Sequence, residues 1–577
     1  MKYPTLTELN TSRELVDVFK GYNHNLRIGE GEFYDMKNLS SDNYPILSPR
    51  HKRGVYATPT KPQGMVAKDA LCYVDEGDFI INEYRVSMGL SRDDKPKTLI
   101  SMGAYVIIMP DKKYINTENH SDRGNIEAEF TSTGKVTFAL CKVDGVEYSN
   151  IQATAPTSPK NGDLWLDTSE TPHQLKVYST STSMWSSIAT TYVKISATGI
   201  GSAFNVNDGV SISGVADASL SDLNASMVIW AKGDDYIVVT GIIDKVTEQE
   251  TPITVARKMP NMDFIIESEN RLWGCRYGVA LNGEIVNEIY ASKLGDFKNW
   301  NCFAGISTDS YAASVGSDGQ FTGAITHLGY PLFFKEGCMH KVYGNYPANY
   351  QIQTTACRGV QKGCERSLAI VNEVLYYKAR SGVCAYDGSL PVEISSALGE
   401  EVYSNAVAGA LGNKYYISML DTSGWYHLFV YDTLKGMWHR EDNTQVADFC
   451  NCRGDLYYID YADNLIKAVR GTGVTETEPI IWKAVTGVIG TESPDKKYIS
   501  RVDVRMSLAV GTRVIFSAEY DSSGEWEHLF TMAGTSLRSF AVPIRPKRCD
   551  HLRLRIEGIG EAKIYSICKT VEQGSDV

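Results

Sequence analysis

The sequence predicts an all-β protein: a β-propeller of six to eight blades with an inserted small β module and a C-terminal antiparallel β-sandwich. Three observations support this prediction. A strand–turn–strand pattern recurs about every 40 residues, tyrosine and glycine are abundant at 34 and 49 residues, and apolar residues near the C-terminus alternate with polar ones. This composition suits many short strands joined by tight turns, because aromatic residues favour strands and glycine favours turns.

The repeat is clearest between residues 330 and 471. Weaker copies begin near residues 70, 102 and 263, which brings the candidate blades to seven. A period near 40 with about four short strands is typical of propeller blades, whereas a β-sandwich has no reason to keep a fixed period. The four clearest copies align on residues spaced 40 to 43 positions apart: Leu332, Leu375, Tyr415 and Leu456.

One turn pattern occurs twice in this region, as YASKLGDFKNW at 290–300 and as YDTLKGMWHRED at 431–442. Each copy runs from an aromatic strand end, through a glycine turn, to a tryptophan. The pattern resembles that of kelch-type propellers, and we predict that both tryptophans pack between neighbouring blades. The residues assigned to this blade-turn packing are Trp300, Tyr431, Asp432, Gly436 and Trp438.

The repeat divides the chain into predicted segments. An N-terminal segment should contain a short helix at 11–22, where a capping threonine or serine precedes apolar residues at helical spacing. The C-terminal sandwich is predicted from period-two alternation, as at Val502, Val504 and Met506. The predicted segments are the N-terminal helix and interface strand at 1–50, first blades at 51–119, one or two inserted β modules at 120–246, remaining blades at 247–474 and the sandwich at 475–577.

The sequence contains none of the common catalytic, metal-binding or nucleotide-binding motifs. GxxxxGK[ST], HExxH and GxSxG are all missing, the ten histidines occur singly, and the twelve cysteines lack zinc-ligand spacing. The turns DTSGW at 421–425 and DSSGEW at 521–526 partly match the Asp-box of sialidases, but hairpin chemistry explains both. We therefore predict that the protein is not an enzyme and has no catalytic residue, cofactor or metal.

The formal net charge of −12 argues against a protein that coats nucleic acid, which would need a basic face. An acidic wall would instead let DNA pass without specific binding. The basic segment SPRHKRG at 48–54 could contact phosphate, although such a segment in an acidic chain more often marks a solvated turn or an interface. No apolar run reaches the roughly 20 residues that span a bilayer, and the N-terminus lacks the apolar core of a signal peptide. We expect synthesis in a bacterial cytoplasm.

A stretch within the predicted insertion, PTSPKNGDLWLDTSETPHQLKVYSTSTSMW at 156–185, resembles a short β motif of phage tail fibres and tail-associated proteins. The resemblance identifies this segment as a virion-protein module and implies no catalysis. The spacer between Ser169 and Leu175 departs from the motif by an extra Thr-Pro-His. The matching residues are Pro159, Gly162, Trp165, Asp167, Thr168, Leu175, Lys176, Val177, Tyr178 and Trp185.

Two further regions, at 33–54 and at 270–344, resemble phage and prophage structural proteins with tail propellers. In the first region, the likeness is carried by Asn38, Leu39, Tyr44, Pro45, Pro49 and Arg50. The family with this build is the tail nozzle, or tail stabilisation, protein of short-tailed phages. The resemblance implies a homo-oligomeric ring in the virion tail, with sixfold symmetry as one option. Such a ring would continue the DNA channel for DNA ejection and contact the adaptor, portal or fibres.

Three functions therefore stay open. The main hypothesis is a structural tail protein, a ring-forming nozzle or hub component. The alternative is a receptor- or glycan-binding virion protein, in which the inserted module or the propeller top contacts the host cell surface. The third is a glycan depolymerase with carboxylates from different blades in the propeller channel.

Overall fold

The computed structural model describes residues 11–148, 150–169, 173–188, 192–241, 243, 246–280, 283–471, 474–490, 497–543 and 549–573. Within these ranges the regular elements are strands and short 3₁₀ helices, which confirms the all-β prediction. None of the helices found there is long and apolar enough to cross a membrane. The chain forms two compact units. One contains Met1–Lys97, Phe334–Met339 and Thr355–Val577, and the other contains Thr98–Phe333 and His340–Thr354.

The N-terminal strands are short and pair with elements from later in the chain. They are β1 (Thr11–Val16), β2 (Gly21–Tyr22), β3 (Glu32–Lys37), β4 (Leu39–Ser40), β5 (Ser48–Pro49) and β6 (Gly54–Ala57). The predicted helix at 11–22 is wrong, since β1 pairs antiparallel with the last strand of the chain, from Thr11 opposite Glu572 to Val16 opposite Ile567. Helix propensity is a weak prior, and this long-range pairing overrides it.

Two four-stranded sheets follow, and they are the first two blades. Blade 1 contains β7 (Pro62–Ala67), β8 (Leu71–Asp75), β9 (Asp78–Ile81) and β10 (Tyr84–Ser87), and blade 2 contains β11 (Thr98–Met102), β12 (Tyr105–Met109), β13 (Lys113–Asn116) and β14 (Arg123–Asn125). Each blade is an antiparallel meander in which consecutive strands are neighbours.

The inserted region begins after blade 2 and forms three sheets. Its strands are β15 (Ala128–Thr131), β16 (Val136–Cys141), β17 (Ile151–Gln152), β18 (Leu164–Asp167), β19 (Gln174–Ser179), β20 (Met184–Ser187), β21 (Tyr192–Ser196), β22 (Gly209–Ser213), β23 (Ser226–Val228), β24 (Ala231–Gly233), β25 (Tyr236–Thr240), β26 (Thr247–Gln249) and β27 (Thr254–Arg257). Two sheets, β15-β27-β22-β23 and β24-β25-β21-β16-β26, share a buried core that includes Phe138, Val193 and Val255. The third sheet is β17-β18-β19-β20. Two 3₁₀ helices, Ile200–Ala203 and Ala218–Leu223, lie between strands of the first two sheets.

Five more blades follow the insertion. Blade 3 contains β28 (Phe264–Ser268), β29 (Arg271–Val279), β30 (Ile285–Ala291) and β31 (Tyr311–Ser314), and blade 4 contains β32 (Gly323–His327), β33 (Tyr330–Lys335), β34 (Cys338–Tyr343) and β35 (Gln351–Ala356). Blade 5 contains β36 (Ala369–Val371), β37 (Val374–Lys378), β38 (Val383–Tyr386) and β39 (Val392–Glu393), and blade 6 contains β40 (Ser404–Leu411), β41 (Lys414–Leu420), β42 (Tyr426–Asp432) and β43 (Met437–Arg440). Blade 7 contains β44 (Val446–Cys452), β45 (Asp455–Asp460) and β46 (Ile466–Ala468). Three 3₁₀ helices accompany them: Pro347–Asn349, Glu365–Ser367 and Ser396–Leu398.

Blade 7 obtains its fourth strand from the beginning of the propeller, because β6 pairs antiparallel with β46. The described residues thus form seven blades, within the predicted range, and the sheet of blade 6 continues through β2 and β3 to the C-terminal strands. The four aligned repeat residues all lie on the second strand of their blade and are at most 1% exposed. Blades 1 and 7 share an apolar core with Leu71 and Ile459, and blades 6 and 7 share another with Tyr416 and Tyr458.

The C-terminal domain is built on one long strand. The short strand β47 (Val474–Thr475) still pairs with β6 at the edge of blade 7. The strands of the C-terminal domain are β48 (Ile481–Thr486), β49 (Lys497–Tyr520), β50 (Glu527–Val542), β51 (Leu552–Ile559) and β52 (Ala562–Gln573). The first part of β49 pairs with β52 and the second part pairs with β51, with register shifts between Met506 and Arg513. This change of partner gives the two layers of the sandwich. Its buried residues alternate along β49, at Val502, Val504, Met506 and Leu508 in one layer and at Val514, Phe516 and Ala518 in the other.

Candidate functional site

The strongest candidate site lies on the small β17–β20 sheet of the inserted region, where the tail-fibre-like residues fall. One face of this sheet is apolar: Leu166 and Leu175 are opposite each other on β18 and β19 and belong to the core of the inserted region. Because side chains alternate along a strand, the intervening residues must point to the other face. The sheet therefore packs one face against the core of the inserted region and turns its other face away from that core.

We call the opposite face of this sheet the aromatic face. Trp165 on β18 lies opposite Lys176 on β19, and Tyr178 on β19 lies opposite Trp185 on β20. The strand register places every second residue of each of the three strands on this same face. The members of the aromatic face are Trp165, Asp167, Gln174, Lys176, Tyr178, Trp185 and Ser187.

The aromatic rings of this face form one cluster. The ring centroids of Trp165 and Trp185 are 5.4 Å apart, and those of Tyr178 and Trp185 are 5.2 Å apart. Trp165 is buried and its indole N–H donates to the Gln152 carbonyl at 2.7 Å, whereas Tyr178 and Trp185 are half-buried. Trp165 is thus the anchored base of the cluster, and the other two rings present surface to solvent.

A charged pair lies beside the rings. The Lys176 ammonium is 2.7 Å from an Asp167 carboxylate oxygen and 5.1 Å from the centroid of the Trp165 ring. The Ser169 hydroxyl and backbone N–H both donate to the other Asp167 oxygen. The hydrogen bonds from Lys176 and Ser169 lower the pKa of Asp167 to about 2. The face therefore carries a carboxylate that stays ionised down to low pH.

Other motif residues shape the loops around this sheet. Gly162 has a φ of +84°, which favours glycine, and its N–H donates to the Tyr178 carbonyl at 2.9 Å. The Thr168 N–H donates to the Gln152 carbonyl at 3.3 Å, and Pro159 is half-buried. Of the extra Thr-Pro-His in the spacer, the threonine and proline lie outside the described residues. Of the ten matching residues, the structure thus brings five together on the aromatic face and places Leu175 and Val177 on the other face of β19. The remaining three lie in the loops.

The predicted blade-turn residues lie elsewhere, between blades. Trp438 is 2% exposed, its ring centroid lies 4.9 Å from that of Tyr431, and its indole donates to the Ile394 carbonyl beside blade 5. The Asp432 carboxylate accepts from two backbone N–H groups of its turn, and Gly436 has a φ of +65°. Trp300 is 3% exposed in the core between blades 2 and 3. These residues have a packing role.

The basic segment at 48–54 is occupied by internal ion pairs and so offers little to phosphate. Arg50 makes two hydrogen bonds to Glu476, at 2.9 and 3.0 Å. Arg53 lies 2.7 Å from Glu441 and 2.9 Å from Asp442. Both arginine side chains are at most 7% exposed. They stabilise the N-terminal segment against blade 7 and its neighbours, which sequence reasoning did not identify.

The two Asp-box-like turns are hairpin turns. The Asp421 carboxylate accepts from the N–H groups of Ser423 and Trp425, and the Asp521 carboxylate accepts from those of Asp550 and His551. His427 lies 2.7 Å from Asp421, and burial lowers the pKa of this histidine despite that neighbour. Across the described part of the chain, no group of three or more potential metal-ligating side chains lies together.

Comparison with known proteins finds likeness only among solved structures. No family model matches the chain, and no curated protein matches it. An exo-β-1,3-galactanase from Phanerochaete chrysosporium is 10% identical with a TM-score of 0.20, over 53% of this chain and 94% of its own. A family 43 arabinoxylan arabinofuranohydrolase from Bacillus subtilis is 7% identical with a TM-score of 0.19, over 52% and 94%. A Trypanosoma rangeli sialidase is 9% identical with a TM-score of 0.20, over 98% and 97%.

These similar structures are all of glycan-cleaving enzymes. That finding contradicts the prediction that this protein is not an enzyme. With TM-scores near 0.2 and identities of 10% or less, the likeness transfers no individual catalytic residue to this chain.

Proposed function

We propose that this protein is a glycan-binding component of a bacteriophage tail and that the aromatic face of its inserted region contacts the sugar. The observation that carries the proposal is the cluster of half-buried rings, Tyr178 and Trp185, set on a buried tryptophan beside a lysine–aspartate pair. The tail assignment is supported by the likeness of these same residues to a tail-fibre motif.

The chemistry of this face suits a carbohydrate. The C–H faces of a pyranose ring are apolar and pack on aromatic rings, while its hydroxyls require hydrogen-bond partners. Aromatic side chains combine a large apolar area with a defined orientation. The rim supplies an ammonium donor at Lys176, held by Asp167, and an exposed amide at Gln174, so the hydroxyls of a bound sugar would find hydrogen-bond partners.

A second candidate function is the ring-forming nozzle or hub component. It is favoured by two strands of the C-terminal sheet, β1 and β50, each of which has a single neighbouring strand among the described residues, so copies of the chain could join there. The two functions are compatible, because the edges and the aromatic face lie in different parts of the chain.

A direct test measures binding of the purified full-length chain to polysaccharides extracted from the envelope of the phage host, by biolayer interferometry. We expect saturable binding that Trp185→Ala weakens at least tenfold. The matched control is Trp425→Ala, which removes a tryptophan that is 65% exposed in a blade 6 turn. Reducing-end release measured in the same samples separates binding alone from binding with cleavage.

No saturable binding by the wild-type chain would contradict the proposal. Equal loss in Trp185→Ala and Trp425→Ala would contradict the assignment to the aromatic face. Circular dichroism of each variant confirms that it is folded.

A further inference from the structure

A large open cleft lies where the N-terminal segment, the connection after blade 7 and the C-terminal sandwich meet. All three belong to the same compact unit of the chain. The cleft has a volume of about 990 Å³, at the upper end of the range of about 300–1,000 Å³ that is usual for ligand sites. Its size therefore suits several units of a chain-like ligand better than a single small ion.

Backbone hydrogen bonds hold the walls of this cleft together. Leu47 pairs with Ile564 as an antiparallel bridge, which ties the N-terminal segment to β52. The Gly560 N–H donates to the Ile480 carbonyl at 2.9 Å, which ties the connection after blade 7 to the turn before β52. The three walls are thus fixed relative to one another by the fold.

Positively charged side chains line the cleft from more than one wall. His51 and Lys52 come from the N-terminal segment, Arg470 from the connection after blade 7 and Lys563 from β52. Among the described residues of the lining, Glu561 alone carries a carboxylate. In a chain with a formal net charge of −12, this local excess of cations favours an anionic ligand.

Two of these cations keep their charge available. Lys563 is exposed, and among the described residues neither Lys563 nor Lys52 has a carboxylate within ion-pair distance. The Lys52 ammonium donates to the Glu476 backbone carbonyl at 3.1 Å, a neutral acceptor that holds the side chain in place. Arg50, which also lines the cleft, is instead paired with the Glu476 carboxylate at 2.9 Å.

Hydroxyl groups lie among the cations. Lys563 and Tyr565 alternate with buried residues along β52 and so point to the same side, and Ser507 on β49 lies opposite Lys563. An acidic sugar unit presents both matching groups, because its carboxylate pairs with an ammonium and its hydroxyls exchange hydrogen bonds with other hydroxyls. The remaining hydroxyls of the described lining belong to Ser48, Thr475 and Ser536.

This chemistry favours an acidic polysaccharide over other polyanions. Single-stranded nucleic acid binds through several aromatic side chains on which successive bases stack, whereas Tyr565 is the single tyrosine, tryptophan or phenylalanine of the described lining. A docked peptide helix needs a continuous apolar groove, whereas charged and hydroxyl side chains recur along this cleft.

We propose that this cleft binds an acidic polysaccharide, with Lys52 and Lys563 contacting its carboxylates from two walls and Tyr565 packing against a sugar ring. The inference concerns a second site and does not depend on glycan binding at the aromatic face.

The test measures binding of the full-length chain to fluorescently labelled oligogalacturonate by fluorescence anisotropy. Wild type is compared with Lys563→Gln, Lys52→Gln and the double variant, since each substitution removes one positive charge and keeps a long polar side chain. Lys362→Gln is the matched control, because Lys362 is exposed before blade 5 and is not among the described residues that line the cleft. The comparison probes are a neutral galactan oligomer, polyglutamate and a single-stranded oligonucleotide. Circular dichroism confirms that each variant is folded.

We expect saturable binding of oligogalacturonate that weakens when the salt concentration rises from about 0.1 M to about 1 M, because the Debye length shortens from about 10 Å to about 3 Å. Each single lysine variant should weaken binding about fivefold and the double variant further, whereas Lys362→Gln should match wild type. No binding by wild type would overturn the proposal, as would cleft variants that bind like the control. Equal affinity for any of the three comparison probes would overturn the assignment to an acidic polysaccharide.

Discussion

The Arg53 guanidinium donates a 2.7 Å hydrogen bond to the Glu441 carboxylate, and each side chain is 6% exposed. Arg53 immediately precedes β6, the strand that completes blade 7, and Glu441 immediately follows β43 of blade 6. The pair therefore holds the closing strand of the propeller against the connection between its last two blades. Arg53 also lies 2.9 Å from Asp442, and Arg50 lies 3.9 Å from Glu441, so two arginines face two carboxylates here.

Arg53→Met should lower the free energy of unfolding by about 3–5 kcal/mol, because it removes the nearest cation of the buried Glu441 carboxylate. The measurement is urea unfolding followed by tryptophan fluorescence. Lys258→Met is the control, since it removes an ion pair to Glu129 in which both side chains are more than half exposed. Exposed pairs contribute at most about 1 kcal/mol. A loss no larger than that of the control would mean that the buried pair does not hold the closing strand.

We expect the free energy of unfolding to decrease as the pH is lowered from 6.5 to 5, because of the buried His439. Burial, followed by the nearby charge of Lys414, lowers the pKa of His439 to about 3. The unfolded chain takes up this proton near pH 6.5 and the folded chain does not, so the unfolded state gains protons first as pH falls. The contribution is complete above pH 6.5 and is lost toward pH 3, at up to about 1.4 kcal/mol per pH unit.

Urea midpoints at pH 7, 6 and 5 measure this effect. His439→Gln should flatten the dependence, whereas His528→Gln, which removes an exposed histidine, should keep the wild-type slope. His427, whose pKa is also lowered, supplies a smaller remaining slope. Parallel curves for wild type and His439→Gln would show that this histidine is not the source.

Lys176→Met should weaken glycan binding about fivefold, equivalent to about 1 kcal/mol. The substitution removes the ion pair to Asp167 and the ammonium over the Trp165 ring. Lys194→Met is a close control, because Lys194 also pairs with a glutamate and lies 4.8 Å from a tyrosine ring centroid, but on the neighbouring sheet. Interferometry against the same polysaccharides measures both, and equal affinities would exclude Lys176 from the binding face.

Asp432→Ala should destabilise the chain by about 1–3 kcal/mol. The buried Asp432 carboxylate accepts from the Ser41 hydroxyl at 2.6 Å and from the N–H groups of Leu434 and Lys435. Its loss leaves the buried Ser41 hydroxyl without its acceptor and removes two hydrogen bonds that hold the turn. Differential scanning fluorimetry should show a clearly lower melting temperature than for Asp387→Ala, which removes an exposed aspartate from a blade 5 turn. Equal melting temperatures would argue against the turn as a structural anchor.

The blades could be predicted because six of them are local and blade 7 takes only β6 from elsewhere in the chain. Leu332, Leu375, Tyr415 and Leu456 occupy the same strand of successive blades, and neighbouring strands in a blade are also neighbours in sequence. The period of the repeat therefore predicts the strands of the blades, and the alternation of apolar residues predicts β49. The aromatic-face residues were found as a motif, but their common face depends on the register of β18, β19 and β20.

By itself, the sequence determined what local order can determine: the repeating blades and the alternating C-terminal strands. Tertiary structure decided the rest. In the folded protein, Thr11–Val16 is a strand and β6 completes blade 7. Arg50 and Arg53, which the sequence offered as a candidate phosphate contact, form internal ion pairs. These outcomes join residues from opposite ends of the chain. A strand edge or a buried charge takes its partner from whatever the completed fold brings beside it, and no short-range pattern specifies that partner.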